Sequence, residues 1–123
     1  MKRTMCKSKI HRATVTDSNL NYEGSITIDG ALLDAADIRE YEQVHVVNIA
    51  NGARFETYAM RAAANGGDIV INGAAARLVQ PGDAVIIFSY ATYEERELDA
   101  FEPRFIFVDG ENRIRPRAAR RTA

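Results

Sequence analysis

Short apolar runs separated by turn residues recur along the chain, the pattern of an all-β barrel or sandwich. Lys9 to Thr16 is rich in β-formers and predicts a strand. Period 2 puts Lys9, His11, Ala13 and Val15 on one face, and Ile10, Arg12 and Thr14 on the other. Asp17-Ser18-Asn19 breaks that strand. Ser25 to Ile28 predicts a second one, with Ile26 and Ile28 facing together, and Asp29-Gly30 ends it. Ala31 to Ile38 predicts a short helix, because Leu32, Leu33 and Ala36 form an apolar stripe at helical spacing.

Val44 to Ile49 predicts a strand, and Asn51-Gly52 a hairpin, since Asn-Gly adopts positive φ readily at both central turn positions. Arg54 to Ala59 is the returning strand. Asn65-Gly66-Gly67-Asp68 is a turn before a short strand, Ile69 to Ile71. Asn72 suits the cap of a one- or two-turn helix through Ala74, Ala75 and Ala76. Pro81-Gly82-Asp83 leads into a buried strand, Val85 to Tyr90. Glu94 to Glu97 is a solvated charge run. Phe105 to Val108 is a last strand before Asp109-Gly110. The tail carries Arg115, Arg117, Arg120 and Arg121 and is expected to be mobile from about residue 115. About seven short strands and two small helices point to a barrel, which leaves no sheet edge open.

A length of 123 residues fits a single domain over 1–123 with one core. A formal net charge of −1 gives no pull toward nucleic acid or an anionic membrane, and neither partner is expected. The longest apolar run is too short to span a bilayer. The basic start, Met1-Lys2-Arg3-Thr4, is followed by no secretory apolar segment, so a cytoplasmic protein is expected. Cys6 is the only cysteine, and His11 and His45 the only histidines, so no metal site is expected. Phosphate-cradling, dinucleotide-binding, zinc-protease and nucleophile-elbow motifs are absent, which removes the commoner enzyme classes.

Tyr22-Glu23-Gly24-Ser25, preceded by Lys9-Ile10-His11-Arg12, resembles the self-cleavage region of the pyruvoyl-dependent aspartate 1-decarboxylases. The resemblance continues through Asn51-Gly52-x-Arg54, Thr57-Tyr58-Ala59, Asn72-Gly73-Ala74-Ala75-Ala76 and Gly82-Asp83, covering most of residues 1–92. Two departures stand out. Ala64-Asn65-Gly66-Gly67 replaces a common Glu-Arg-Gly-Ser, and Arg77 stands where many members have His.

The resemblance implies a mainly β fold, a six-stranded double-psi β-barrel with short helices, and a homotetramer with sites between protomers. It implies cleavage between Gly24 and Ser25 into a β-chain, 1–24, and an α-chain, 25–123, assisted by Thr57 and, where needed, by a maturation factor. Ser25 then becomes a covalent pyruvoyl cofactor, which decarboxylates L-aspartate to β-alanine through a Schiff base and feeds pantothenate biosynthesis. Tyr58 is implied as the proton donor; a phenol is protonated at neutral pH and can act as a general acid. Arg54 and Lys9 are implied at the substrate carboxylates, one as a bidentate fork and one as a point charge. Asn72 and the amides of Gly73, Ala74 and Ala75 are implied as substrate-binding groups, and His11 and Tyr22 as pocket lining.

Taken singly, each has a plain alternative: a turn at Gly24-Ser25, surface charges at Lys9 and Arg54, packing at Tyr58, a satisfied strand histidine at His11. Ideal alternation also points Thr57 away from Arg54 and Tyr58; if both Thr57 and Tyr58 reach the site, the strand ends or bulges there, or the site uses both faces. Two other functions compete. An uncleaved, inactive barrel homologue would share the fold, and a DNA-binding barrel regulator would use Gly82-Asp83 and the arginine-rich tail.

Overall fold

The alternating apolar positions converge on one sheet interior. A computed structural model describes residues 1–116; Arg117, Arg120 and Arg121 lie outside the described residues, and so does most of the expected tail. The strands are β1 (Lys2–Thr14), β2 (Asp17–Asn19), β3 (Ser25–Asp29), β4 (Gln43–Asn48), β5 (Arg54–Ala62), β6 (Ile69–Asn72), β7 (Ala84–Glu94) and β8 (Arg104–Phe107). One α-helix, α1 (Gly30–Ala36), comes directly after β3, and 3-10 helices span Gly73–Leu78 and Glu95–Ala100.

All eight strands belong to one sheet, in the order β2-β6-β3-β5-β4-β7-β1-β8. The six inner strands are the barrel that the resemblance implies, and the three-residue β2 and four-residue β8 are additions at its margins. Closure comes from the joint between β1 and β2. Val15 N–H donates to the Asp83 carbonyl at 2.9 Å, Gly82 N–H to the Val15 carbonyl at 2.7 Å, and Thr16 N–H to the Ile69 carbonyl at 2.8 Å. One stretch of chain thus pairs with β7 as β1 and with β6 as β2, and the sheet returns on itself as a crossed barrel.

The interior holds Ile10, Ala13, Val15, Ile26, Ile28, Val44, Val46, Ile69, Ile71, Val85 and Ile87, all essentially without solvent contact. Burial of each large side chain contributes roughly 1.5–3 kcal/mol. Leu32, Leu33 and Ala36 of α1 join this core, as their spacing predicted. Asp29 starts the helix by accepting from the Ala31 amide at 2.8 Å. The same carboxylate accepts from the amides of Asn65 and Gly67, which locks the 65–68 turn against β3.

Three expectations are corrected. The face assignment along Lys9 to Thr16 fails at Arg12, where φ is +64 and the pairing with β7 steps from Ile10–Ile87 to Ala13–Val85. That extra residue is a bulge, and it turns Ile10 and Ala13 to the same, buried side. Asp17-Ser18-Asn19 does not end the β structure; it is β2, parallel to β6. At the Asn51-Gly52 hairpin only Gly52 has positive φ. There the side chains turn the chain: Asn48 accepts from the Ala50 amide and Asn51 from the Ala53 amide, at 2.9 and 2.8 Å.

A C-terminal strap completes the barrel. Asn112 is 2% exposed; its Oδ1 accepts from the Thr14 amide, and its Nδ2 donates to the Thr14 and Gly67 carbonyls. Asn112→Ala removes the side-chain partner of three backbone groups, one buried and two part-buried, and is expected to cost roughly 2–4 kcal/mol in urea unfolding. A loss below about 0.5 kcal/mol would show that solvent replaces these bonds.

Candidate active site

β3 and β6 run antiparallel with Ser25 directly opposite Asn72. Ser25 is 2% exposed, although it opens a strand next to exposed residues 22–24. Asn72 Nδ2 donates to Ser25 Oγ at 3.0 Å and to Thr27 Oγ1 at 3.2 Å. Period 2 sets Ser25 and Thr27 on one strand face, so a single amide reaches both hydroxyls. The expected cap role of Asn72 is therefore corrected. Its side chain makes no cap bond to the 3-10 helix at Gly73–Leu78, and its Nδ2 donates across the sheet.

Gly73, at the start of the 3-10 helix, lies against the backbone of Gly24. Its φ is +79, and a Cβ there would lie 2.6 Å from the Gly24 Cα, 2.9 Å from the Gly24 nitrogen and 3.2 Å from the Tyr22 carbonyl oxygen. Only glycine tolerates both that conformation and that approach. Of the remaining amide-bearing residues, Ala74 is exposed, whereas Ala75 is half-buried and packed against the core.

β3 and β5 run parallel with Ile26 beside Ala59. The residues just before that pair are Ser25 and Tyr58, and before those Gly24 and Thr57. β5 neither ends nor bulges at Thr57, because the β4–β5 register is continuous from Gln43–Tyr58 to Val47–Arg54. Phe55 and the fully buried Ala59 share the Thr57 side and belong to the core, while Arg54 and Tyr58 share the outer side. Thr57 and Tyr58 therefore lie on opposite faces of β5. The Tyr58 ring stacks on that of Tyr41, centroids 5.8 Å apart.

The cations gather around an aromatic side chain. Lys9 pairs with Phe88 across the β1–β7 ladder, and its Nζ lies 6.0 Å from that ring centre and 5.0 Å from that of Phe105. Arg54 Cζ lies 5.8 Å from the same ring, a cation–π distance. Among the described residues neither Lys9 nor Arg54 forms an ion pair with a carboxylate. His11 sits on the β8 side, edge-on to Phe107 at 5.5 Å, with its Nδ1 buried and given no hydrogen-bond partner among the described residues. Burial first, then Lys9, Arg12 and Arg115, push its pKa below the ordinary histidine value, so it favours the neutral ring. Tyr22 is exposed.

The structure therefore joins Gly24, Ser25, Asn72 and Gly73 in direct contact, with Thr57 and Tyr58 alongside by register. It groups Lys9 and Arg54 separately around Phe88. Sequence reasoning missed Thr27, which period 2 from Ser25 would have found, and Phe88 and Tyr41, which carried no motif. A cavity of about 550 Å³ lies beside α1, lined by residues that include Leu33, Ile38, Arg61 and Tyr41. The described residues include no cluster of metal-ligating side chains and no helix long and apolar enough to cross a membrane.

Comparison with known proteins places these features. The family model described as aspartate decarboxylase matches residues 1–115. An aspartate 1-decarboxylase of Methylobacillus flagellatus is 57% identical over 115 residues, 94% of this chain and 91% of that protein. One of Heliobacterium modesticaldum is 57% identical over all of this chain and 93% of its own length. One of Pelotomaculum thermopropionicum is 61% identical over 90% of this chain and 84% of its own. With the match running through the strand pair that holds Gly24, Ser25 and Asn72, this chain belongs to the aspartate decarboxylase family.

Proposed function

We propose that this chain cleaves itself between Gly24 and Ser25 and then removes the 1-carboxylate of L-aspartate, giving β-alanine and carbon dioxide. One observation carries the reading: a buried serine hydroxyl, held by the Asn72 amide, directly succeeds a glycine whose backbone is packed on Gly73.

Cleavage needs the Ser25 hydroxyl to attack the Gly24 carbonyl and move the acyl group from nitrogen to oxygen. The Asn72 amide fixes Oγ in place and steadies the negative charge that grows there as its proton leaves. Thr57, level with Gly24, supplies a hydroxyl to the carbonyl oxygen. Elimination from the ester frees the Gly24 carboxylate and leaves a dehydroalanine, which water converts to a pyruvoyl group with release of ammonia. The residues present fit a small group at position 25, because Ser25 is buried and shares the Asn72 amide with Thr27. The pyruvoyl group supplies a ketone that captures the substrate amine and takes up the electrons left by carbon dioxide.

Every other task falls to this chain's side chains. Arg54 and Lys9 hold the two carboxylates of the substrate, and Phe88 between them keeps both cations oriented. Tyr58 gives its phenolic proton to the substrate α-carbon. Asn72 and the Gly73 to Ala75 backbone orient the substrate, and His11 and Tyr22 line the pocket. A homotetramer that brings the Phe88 cations of one protomer to the Ser25 of its neighbour belongs to the same reading. So do a cytoplasmic location, assistance by a maturation factor and the supply of β-alanine for pantothenate.

Incubation with L-aspartate tests the activity: the chain is expected to release β-alanine, and Ser25→Ala to fold, stay uncut and release none. β-Alanine formation by Ser25→Ala at the normal rate would refute the mechanism. Gly73→Ala is expected to fold but to cleave at least about tenfold more slowly on a denaturing gel, since its Cβ displaces Gly24. Cleavage at the unaltered rate would show that the Gly24–Gly73 approach plays no part.

A further inference from the structure

Tyr41 occupies a backbone position that resists a bulky side chain. Its φ is +72, in the left-handed region that glycine and asparagine enter readily and other residues enter at a cost. Burial does not repay that cost, because Tyr41 is 71% exposed. What the ring does is stack on Tyr58, with the planes 20° apart. At 5.8 Å between centroids this is the geometry of an offset aromatic pair.

The backbone holds the stack in register. Tyr41 N–H donates to the Ala59 carbonyl at 2.7 Å, and Ala59 N–H donates to the Glu42 carbonyl at 3.0 Å. Tyr41 and Glu42 are therefore bonded to the residue directly after Tyr58. The turn is anchored in its own right, because the Glu42 carboxylate accepts from the Arg39 amide at 3.0 Å, from Lys7 at 3.0 Å and from the Ser89 hydroxyl. A strained, tethered and exposed ring that touches one other ring fits a steering role rather than a stabilising one.

We infer that Tyr41 is a positioning residue for Tyr58: its ring restricts rotation of the Tyr58 side chain and so aims the phenolic O–H. The inference rests on the reading that Tyr58 delivers the proton to the substrate. It assigns Tyr41 no contact with the reacting atoms.

Two substitutions separate the ring from the backbone. Tyr41→Asn keeps a residue at ease in the left-handed region and removes the ring; Tyr41→Phe keeps the ring. Tyr41→Asn is expected to self-cleave normally and to lower kcat roughly two- to tenfold with KM for aspartate unchanged. Tyr41→Phe is expected to restore kcat. Wild-type kcat in Tyr41→Asn, or equal losses in both variants, would overturn the inference.

Tyr58→Phe tells this failure apart from that of the underlying reading. If Tyr58→Phe is slow while Tyr41→Asn is normal, the positioning role alone is wrong; if Tyr58→Phe turns over normally, the proton-donor reading is wrong. A readout free of activity uses uncut Ser25→Ala protein with isotope-labelled tyrosine rings. The Tyr58 ring resonance is expected to move in Tyr41→Asn and to hold in Tyr41→Phe. An unmoved resonance in Tyr41→Asn would remove the stack itself.

Discussion

The pairing of β3 with β6 sets an amide donor opposite a buried hydroxyl. Ser25 and Asn72 face each other across an antiparallel ladder, so their side chains meet without any loop having to be ordered around them. The bond at 3.0 Å also sets the course of the chain beyond β6. Asn72 donates its Nδ2 to Ser25 and Thr27 and makes no side-chain cap bond to the 3-10 helix, and the turn is made by Gly73 at positive φ. That conformation in turn lets the Gly24 backbone come to rest against Gly73. A single cross-strand contact thus links the barrel's register to the position of the Gly24-Ser25 bond.

The barrel itself serves this contact by removing freedom at both ends of β3. Before it, exposed residues 22–24 are pressed on Gly73. After it, the Asp29 carboxylate gathers three amides, from α1 and from the 65–68 turn. Asn112 then straps that turn to the end of β1. The cations obey a different logic. Lys9 leans on Phe105 and Phe88, Arg54 leans on Phe88, and neither meets a carboxylate among the described residues.

Much of this was legible from local pattern. The alternation of Ile26 and Ile28 located the core side of β3, and the stripe of Leu32, Leu33 and Ala36 located the buried side of α1. The blocks around Gly24-Ser25 and Asn72-Gly73 singled out residues that the fold brings into contact, although 47 positions separate Ser25 from Asn72. What escaped depended on tertiary context. The bulge at Arg12 has no glycine to announce it, so strict alternation assigned Ile10 to the wrong side. β2 is made of turn-forming residues and becomes a strand only because β6 offers an edge. Asn72 carries a cap-like signal locally, and the competing acceptor that claims its amide lies on another strand. Tyr41 sits in a connection with no periodicity, and its significance comes from a backbone angle and a neighbour that sequence does not display.

The central claim is that Gly24-Ser25 is a bond the fold is built to break. Denaturing intact-mass spectrometry of the purified full-length chain after prolonged warming tests it most directly. The account predicts two fragments, residues 1–24 and 25–123, with the larger lighter by one ammonia than its serine-terminated form. A single uncut chain, or a larger fragment that still begins with serine, would contradict it.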